Sequence, residues 1–469
     1  MPQTEPFGNQ KAAHQLRVAV VGCAHGQLDI IYATAKRQCD QRGWTLSDLD
    51  LVLICGDFQA VRNSRDLNCM SVPKKYRQLG DFHKYYSGEA VAPVLTVVVG
   101  GNHEASNYLF ELYHGGWLAP KIYYLGAASV IRYGPWRIAG MSGIYDKNDY
   151  NKEHHERLPY SSHDIKSIYH VRRYDIDKLL QIREEVDIGL SHDWPAWVEL
   201  FGDYKSLYSR KPHFLDSAKR DRLGSYAATE VMNHLRPLHW FSGHMHCRFP
   251  ANISYASDKF ENSVRKLKIT QEIKSVLPVL KTDKRYFKTT SKPASQRSNG
   301  SFLALDKYKG DARGFLELMD LSLSRDDSGV SDDPSHFSRP YKLCYDEEWL
   351  AITRACTGTL QLQDRETLVV PPSRARFPSQ KAISEHRKWV QENITKRGLL
   401  QIPENFMIHA PVFDETELSA HDQPNEYSNC QTAQFAELLQ IPNVFTLETQ
   451  DPDVDGNCAG DDFIVFGEE

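Results

Sequence analysis

The sequence predicts an α/β protein, a β-sandwich flanked by helices, followed by a smaller α+β C-terminal domain. Three observations lead there. Six apolar runs of strand length, at 17–21, 51–54, 94–99, 137–141, 188–190 and 238–241, recur through the first half of the chain, and nearly every one ends in Gly or Ser followed by a residue able to bind a metal or move a proton. Between the first two runs, residues 29–41 carry Ile30, Ile31, Ala33 and Ala35 at helical spacing. That segment fits a crossover helix and makes βαβ units the organising pattern of roughly the first 250 residues. Thirdly, the composition breaks over 253–300, where eleven Lys or Arg stand against four Asp or Glu, and strand- and helix-like patterns resume only beyond it. The carboxyl ends of strands in such a fold form one crevice, so groups far apart in sequence converge there.

At 469 residues the chain is too long for one compact core, and two or three domains are expected. Residues 1–16, polar and without an apolar stretch, read as a disordered extension. Residues 17–252 form the main domain, 253–300 a basic flexible connector, 301–450 the C-terminal domain and 451–469 an acidic tail with seven acids and no base. Within the C-terminal domain, 302–307 and 314–321 read as a strand pair and 322–340 as a polar Ser/Asp loop. Helices are expected at 346–355 and 380–394, the second with Ile383, Trp389, Val390 and Ile394 on or near one face.

A balance of 56 basic against 61 acidic residues, net −5, excludes wholesale coating of a polyanion, so any nucleic acid must meet a local basic surface. No apolar run reaches the length of a membrane span, and a soluble intracellular protein is expected. Nine cysteines without a paired framework point to a reducing compartment, which keeps the thiol of Cys23 free.

Five segments carry the chemistry: Gly22-Cys23-Ala24-His25, Gly56-Asp57, Gly101-Asn102-His103-Glu104, Ser191-His192-Asp193 and Gly243-His244-Met245-His246. Singly, each has a plainer reading as a buried thiol, a turn or a core histidine. Together, each closing an apolar run, they supply a dinuclear metal site, in which two divalent cations about 3.5–4 Å apart share a bridging carboxylate and a water. Asp57 is the acid placed to bridge. Cys23, His25 and His246 are assigned to one metal, and Asn102, His192 and His244 to the other. On an extended segment His244 and His246 would point the same way, so a kink is needed, and Gly243 is expected to permit it. His103 is kept off the metals as the general acid that protonates a leaving alkoxide. The other histidines at 83, 114, 154, 155, 163 and 170 are expected to face solvent or to be hydrogen-bonded locally. Thiolate is a soft ligand, which favours Zn or Fe(II) at the Cys23 site, while the histidine-rich partner site accepts Fe(II), Zn or Mn.

The chain also resembles the lariat RNA debranching enzymes of the calcineurin-like metallophosphoesterase superfamily. The strings that carry the likeness are VVGCAHGQLD, CGDFQAVRN, APVLTVVVGGNHEASN, GGWLAP, SIYHVR, LSHDWP and WFSGHMH, extended by FLALDK and YDEEWLAI beyond the connector. The resemblance implies the superfamily's β-sandwich and cleavage of the 2′-5′ phosphodiester at the branch point of an excised intron. It implies metal ligation by Cys23, His25, Asp57, Asn102, His192, His244 and His246, with His103 catalytic. It implies a lariat-recognition loop at about 142–172, in which Tyr145, Tyr150, Tyr160 and Arg172 are the expected substrate contacts. It further implies nuclear residence, compatible with shuttling to the cytoplasm, and contact with intron-processing or spliceosome-associated proteins. Two other readings compete: a generic dinuclear phosphodiesterase or phosphatase, and a catalytically dead RNA-binding scaffold. Protein phosphatases of the superfamily place Arg before the GNHE string, where this chain has Gly100, and a dead scaffold predicts a missing ligand, which this chain does not show.

Overall fold

The computed structural model describes residues 15–255, 293–311, 313–323, 339–359, 377–417 and 420–445. The expected N-terminal extension up to residue 14, the middle of the basic connector, most of the Ser/Asp loop and the acidic tail lie outside the described residues. Among those described, the strands in chain order are β1 (Gln15–Val21), β2 (Leu51–Ile54), β3 (Thr96–Val98), β4 (Gly116–Ala119), β5 (Ile122–Tyr124), β6 (Ala128–Tyr133), β7 (Trp136–Met141), β8 (Ile188–Ser191), β9 (His239–Ser242), β10 (Phe249–Ser254), β11 (Asn299–Ala304), β12 (Leu316–Ser322) and β13 (Leu343–Tyr345).

They form two sheets, in the orders β12-β1-β2-β3-β5-β4 and β10-β11-β9-β8-β7-β6-β13. Side-chain alternation decides what each face buries. Leu16, Val18 and Val20 of β1 point inward with Leu53 and Val97 and meet Ile131, Ile138, Ile188, Leu190 and Phe241 of the facing sheet. Ala19 and Val21 point the other way, onto Leu28, Ile31 and Ala35 of the helix Leu28–Gln41. The second sheet is covered outside by a further core that includes Leu207, Phe214, Ala228 and Met232. Burying each such aliphatic side chain contributes about 1.5–3 kcal/mol, so three layers of core hold the two sheets in place.

The six expected strands are present, as are helices Glu347–Cys356 and Gln380–Asn393. Asp346 caps the first of these, its carboxylate accepting the Trp349 N–H at 3.0 Å. Ile383, Val390 and Ile394 of the second segment are buried and Trp389 is partly so. The expected strand pair at 302–307 and 314–321 is corrected: both segments are strands, but they do not pair with each other. β12 lies antiparallel to β1 at the edge of the first sheet, whereas β11 inserts between β10 and β9 of the second. Each completes a different sheet of the sandwich. The connector is corrected at its ends for the same reason, since Ser254 pairs with Asn299 and the chain between them is an insertion between neighbouring strands.

Candidate metal centre

Five strand ends deliver the candidate groups. Cys23 and His25 follow β1, Asp57 follows β2, Asn102 and His103 follow β3, His192 follows β8, and His244 and His246 follow β9. The two sheets therefore contribute from both sides of one crevice. The backbone there is bent into the left-handed region at His25 (φ 48°), Asp57 (φ 44°), His244 (φ 58°) and His246 (φ 49°). Non-glycine residues hold that conformation at a cost of about 1–3 kcal/mol each, and such strain gathers at functional sites. Gly243 is not the kink that was expected. It is needed for close approach, because a Cβ there would sit 2.9 Å from the Cys55 carbonyl and 3.2 Å from Cys23 Sγ, and His244 and His246 make the turn themselves. Gly56 combines both demands, with φ at +94° and a Cβ that would fall 2.3 Å from His192 Nδ1.

Cys23, His25, Asp57 and His246 each bring one ligand atom within 4.8 Å of the others. His25 Nε2 lies 3.2 Å from His246 Nε2 and 3.7 Å from Asp57 Oδ2. The other carboxylate oxygen, Asp57 Oδ1, faces the second group, 3.3 Å from His192 Nε2, which is in turn 3.1 Å from Asn102 Oδ1. The His244 ring packs 4.9 Å from that of His192. Asp57 thus stands between the two sets that were assigned to separate metals, one oxygen toward each.

Burial and neighbouring charge move the donors in different directions, lowering the pKa of His25 and His246 and raising those of Cys23 and His192. Burial, opposed by Asp57, lowers the pKa of His25 to about 4, and burial together with Lys307 lowers that of His246 to about 3, so both imidazoles keep a lone pair at neutral pH. His192 donates Nδ1–H to the Cys55 carbonyl at 2.7 Å, which leaves Nε2 as its ligand atom. Burial works against the charge of Asp57, yet His192, His25 and His103 hold its pKa well below the carboxylate range. Burial and Asp57 push the Cys23 thiol well above its usual value, against a 3.1 Å hydrogen bond from the His244 N–H. A buried sulfur surrounded by neutral imidazoles and a carboxylate is a donor set for a divalent metal ion, which displaces the thiol proton on binding.

His103 is positioned through its backbone, its N–H donating to Asp57 Oδ1 at 2.9 Å beside that of Asn102 at 3.0 Å. Its half-buried ring stands edge-on to His25 with centroids 5.8 Å apart, and its ring nitrogens have no hydrogen-bond partner among the described residues. Two further residues, quoted in the motif strings but given no role there, support the centre. Glu104 accepts the N–H groups of Phe58 (2.7 Å), Gln59 (2.6 Å) and Gly101 (2.8 Å), tying the Asp57 loop to the Asn102 loop. The Gln59 side-chain amide meets His25 Nδ1 at 3.2 Å and orients that ring. Their signal was adjacency: Gln59 stands two residues beyond Asp57, and Glu104 one beyond His103.

The expected recognition loop sits beside the centre, with Gly143 N–H donating to the Gly100 carbonyl at 2.9 Å. Two of its four expected contacts, Arg172 and Tyr160, are buried. Arg172 is 1% exposed, its guanidinium committed to Glu156 Oε1 at 2.6 Å and the Ser167 carbonyl at 3.0 Å. Tyr160 is buried against Cys69 and Ile168. Both stabilise the loop from within and offer no face to a ligand in this conformation. Tyr145 and Tyr150 are partly exposed, their rings 5.2 Å apart, while Lys147, Arg157 and Lys166 reach solvent. His154 and His155, also expected to face solvent or be hydrogen-bonded locally, are buried around Glu156, with His154 Nδ1 at 3.0 Å from its carboxylate. The loop also leans on the C-terminal segment, since the Leu158 and Tyr160 N–H groups donate to Glu426 and Gln423 at 2.9 and 2.6 Å.

Residues 16–248 match the family described as calcineurin-like phosphoesterase, and residues 297–444 match the lariat debranching enzyme, C-terminal domain. The chain is 38% identical over 427 residues to a lariat debranching enzyme of Arabidopsis thaliana, an alignment that spans 91% of this chain and 87% of that one. It is 38% identical over 462 residues to the lariat debranching enzyme of Homo sapiens, spanning 95% and 75%, and 39% identical over 435 residues to that of Mus musculus, spanning 92% and 69%. With both domains matched in order and the likeness running across the connector, the chain belongs to the lariat debranching enzyme family of calcineurin-like phosphoesterases.

Proposed function

We propose that the protein is a metal-dependent phosphodiesterase that opens the 2′-5′ linkage at the branch point of intron lariats. The observation that carries this reading is Asp57 standing between two donor sets, one oxygen toward each, with the His103 ring edge-on to His25 beside them. Two divalent cations, when bound, supply an activated water and neutralise charge on the phosphoryl oxygens. Cys23, His25 and His246 would hold one, Asn102, His192 and His244 the other, and Asp57 both. Glu104 and Gln59 keep these groups in place. His103 delivers a proton to the departing ribose oxygen. The exposed Lys147, Arg157 and Lys166, with Tyr145 and Tyr150 nearby, supply charge and aromatic faces for RNA flanking the branch. We place this activity in intron turnover in the nucleus, alongside the intron-processing machinery. No helix among the described residues is long and apolar enough to cross a membrane.

Purified metal-loaded protein tests the linkage, with a branched RNA and a linear 3′-5′ RNA of the same sequence. Cleavage confined to the branch is expected, and cleavage of the linear strand alone would refute the reading.

The thiol at Cys23 bears on metal identity. We infer Zn or Fe(II) at its site, and Fe(II), Zn or Mn at the histidine-rich one. Cys23→Asp is expected to move the metal preference of activity toward Mn while the fold, followed by circular dichroism, is kept. An unchanged ranking of Zn, Fe(II) and Mn would contradict the assignment.

A further inference from the structure

The segment that follows β11 enters the centre from the C-terminal half of the chain. Leu305 N–H donates to the Ser242 carbonyl at 3.1 Å, and the Asp306 carbonyl accepts the Cys23 N–H at 3.3 Å. Residues 23 and 307 then form an isolated parallel bridge, so Lys307 is held against the backbone of a candidate metal ligand. The approach is close enough that a Cβ on Gly22 would fall 2.1 Å from the Asp306 carbonyl oxygen.

Three lysines surround this corner, and two of them are engaged. Lys211 Nζ donates to the carbonyls of Met245 and His246 at 2.9 and 3.0 Å. Lys309 Nζ donates to the His246 carbonyl at 3.3 Å and to Asp306 Oδ2 at 2.5 Å. Asp306 Oδ1 takes the Lys307 N–H at 2.7 Å, and the ion pair of that carboxylate is with Lys309. The Lys307 ammonium has no hydrogen-bond or ion-pair partner among the described residues, although the residue is partly buried. Its charge is felt at Cys23, His25 and His246.

A cation with no counter-ion among the described residues, held by the backbone bridge to Cys23 at the edge of a cluster that would bind metal cations, is placed to meet an anion bound at the centre. An ammonium is a compact point charge with three donors, suited to a single phosphoryl oxygen. We infer that Lys307 binds a non-bridging oxygen of the scissile phosphodiester on the Cys23 side of the centre, a contact contributed to the active site by the C-terminal half of the chain. The inference rests on the phosphodiesterase reading but not on the 2′-5′ linkage.

Lys307→Met and Lys307→Arg test it, each measured for metal content, for binding of inorganic phosphate, and for binding of a branched RNA over a series of salt concentrations in a His103→Ala background. Lys307→Met is expected to keep its metal and to bind phosphate roughly tenfold to a hundredfold more weakly, the range for losing one hydrogen bond to a charged group. Its RNA affinity should fall less steeply with salt, the log–log slope shrinking by about 0.7 for one lost phosphate contact on a single strand. Lys307→Arg is expected to recover most of both. Unchanged phosphate affinity and salt slope would overturn the inference, and so would metal loss in proportion to the loss of binding, which would make Lys307 a support for Cys23. If phosphate binding weakens as expected while the unaltered protein leaves branched RNA intact, the 2′-5′ assignment fails and the role of Lys307 stands.

Discussion

Replacing His103 with Ala is expected to lower kcat on a branched RNA by about 10²–10⁴-fold, the usual contribution of a general acid, with metal content and RNA affinity close to those of the unaltered protein. The separation follows from how the residue is held. Its backbone N–H, which Ala retains, makes the 2.9 Å bond to Asp57 Oδ1, so the bridging carboxylate keeps its partner. Its ring meets His25 edge-on, with centroids 5.8 Å apart. What disappears is an imidazole whose nitrogens have no hydrogen-bond partner among the described residues. A ribose alkoxide is a poor leaving group and needs a proton as the P–O bond breaks. A nitrophenolate does not, so the same variant should lose much less on bis(4-nitrophenyl) phosphate. An equal loss on both substrates, or a parallel loss of metal, would remove His103 from the role of acid.

The ligands could be read in the sequence because each is tied to a local pattern, an apolar strand ending in a tight turn, and the turn places the side chain whatever the distant chain does. Cys23, Asp57, His192 and His244 all belong to this class. What could not be read depends on contacts with no local signature. β12 pairs with β1 from the far side of the connector, Leu316 opposite Val21, and no periodicity within 314–321 distinguishes that partner from β11. The same holds for Lys307, an ordinary lysine in the FLALDK string until the chain is folded beside Cys23. Arg172 and Tyr160 show the converse. Basic and aromatic residues in a loop look alike whether they reach for RNA or for a buried glutamate, and only the pairing of Arg172 with Glu156 decides.

Arg137→Met is expected to destabilise the protein by about 3–5 kcal/mol, read from the chemical-denaturation midpoint, because it strips the partner from buried carboxylates. Arg137, on β7, is 1% exposed and donates Nε and Nη2 to the two oxygens of Asp346 at 2.8 and 2.6 Å, and Nη2 also to Glu348 Oε2 at 3.1 Å. Those acids lie at the start of helix Glu347–Cys356, so one guanidinium fastens the C-terminal helix to the second sheet of the sandwich. Methionine fills similar volume but satisfies neither carboxylate. Arg132 Nε, at 2.9 Å from Asp346 Oδ2, keeps part of the pairing and places the loss toward the lower end of the range. Arg137→Met combined with Asp346→Leu should cost less than the sum of the two single changes, since the second removes the charge that the first orphans. The sign of the pH dependence follows from Asp346. Burial alone would raise its pKa, but Arg137 and Arg132 hold it far below the ordinary value, so this stabilisation is full above the unfolded pKa of about 3.9 and is lost as pH falls below it. The gap between Arg137→Met and the unaltered protein should therefore be widest near neutrality and close in acid. A gap that stayed constant down to about pH 3, below the unfolded carboxylate pKa, would show that packing, not the ion pair, carries the contribution of Arg137.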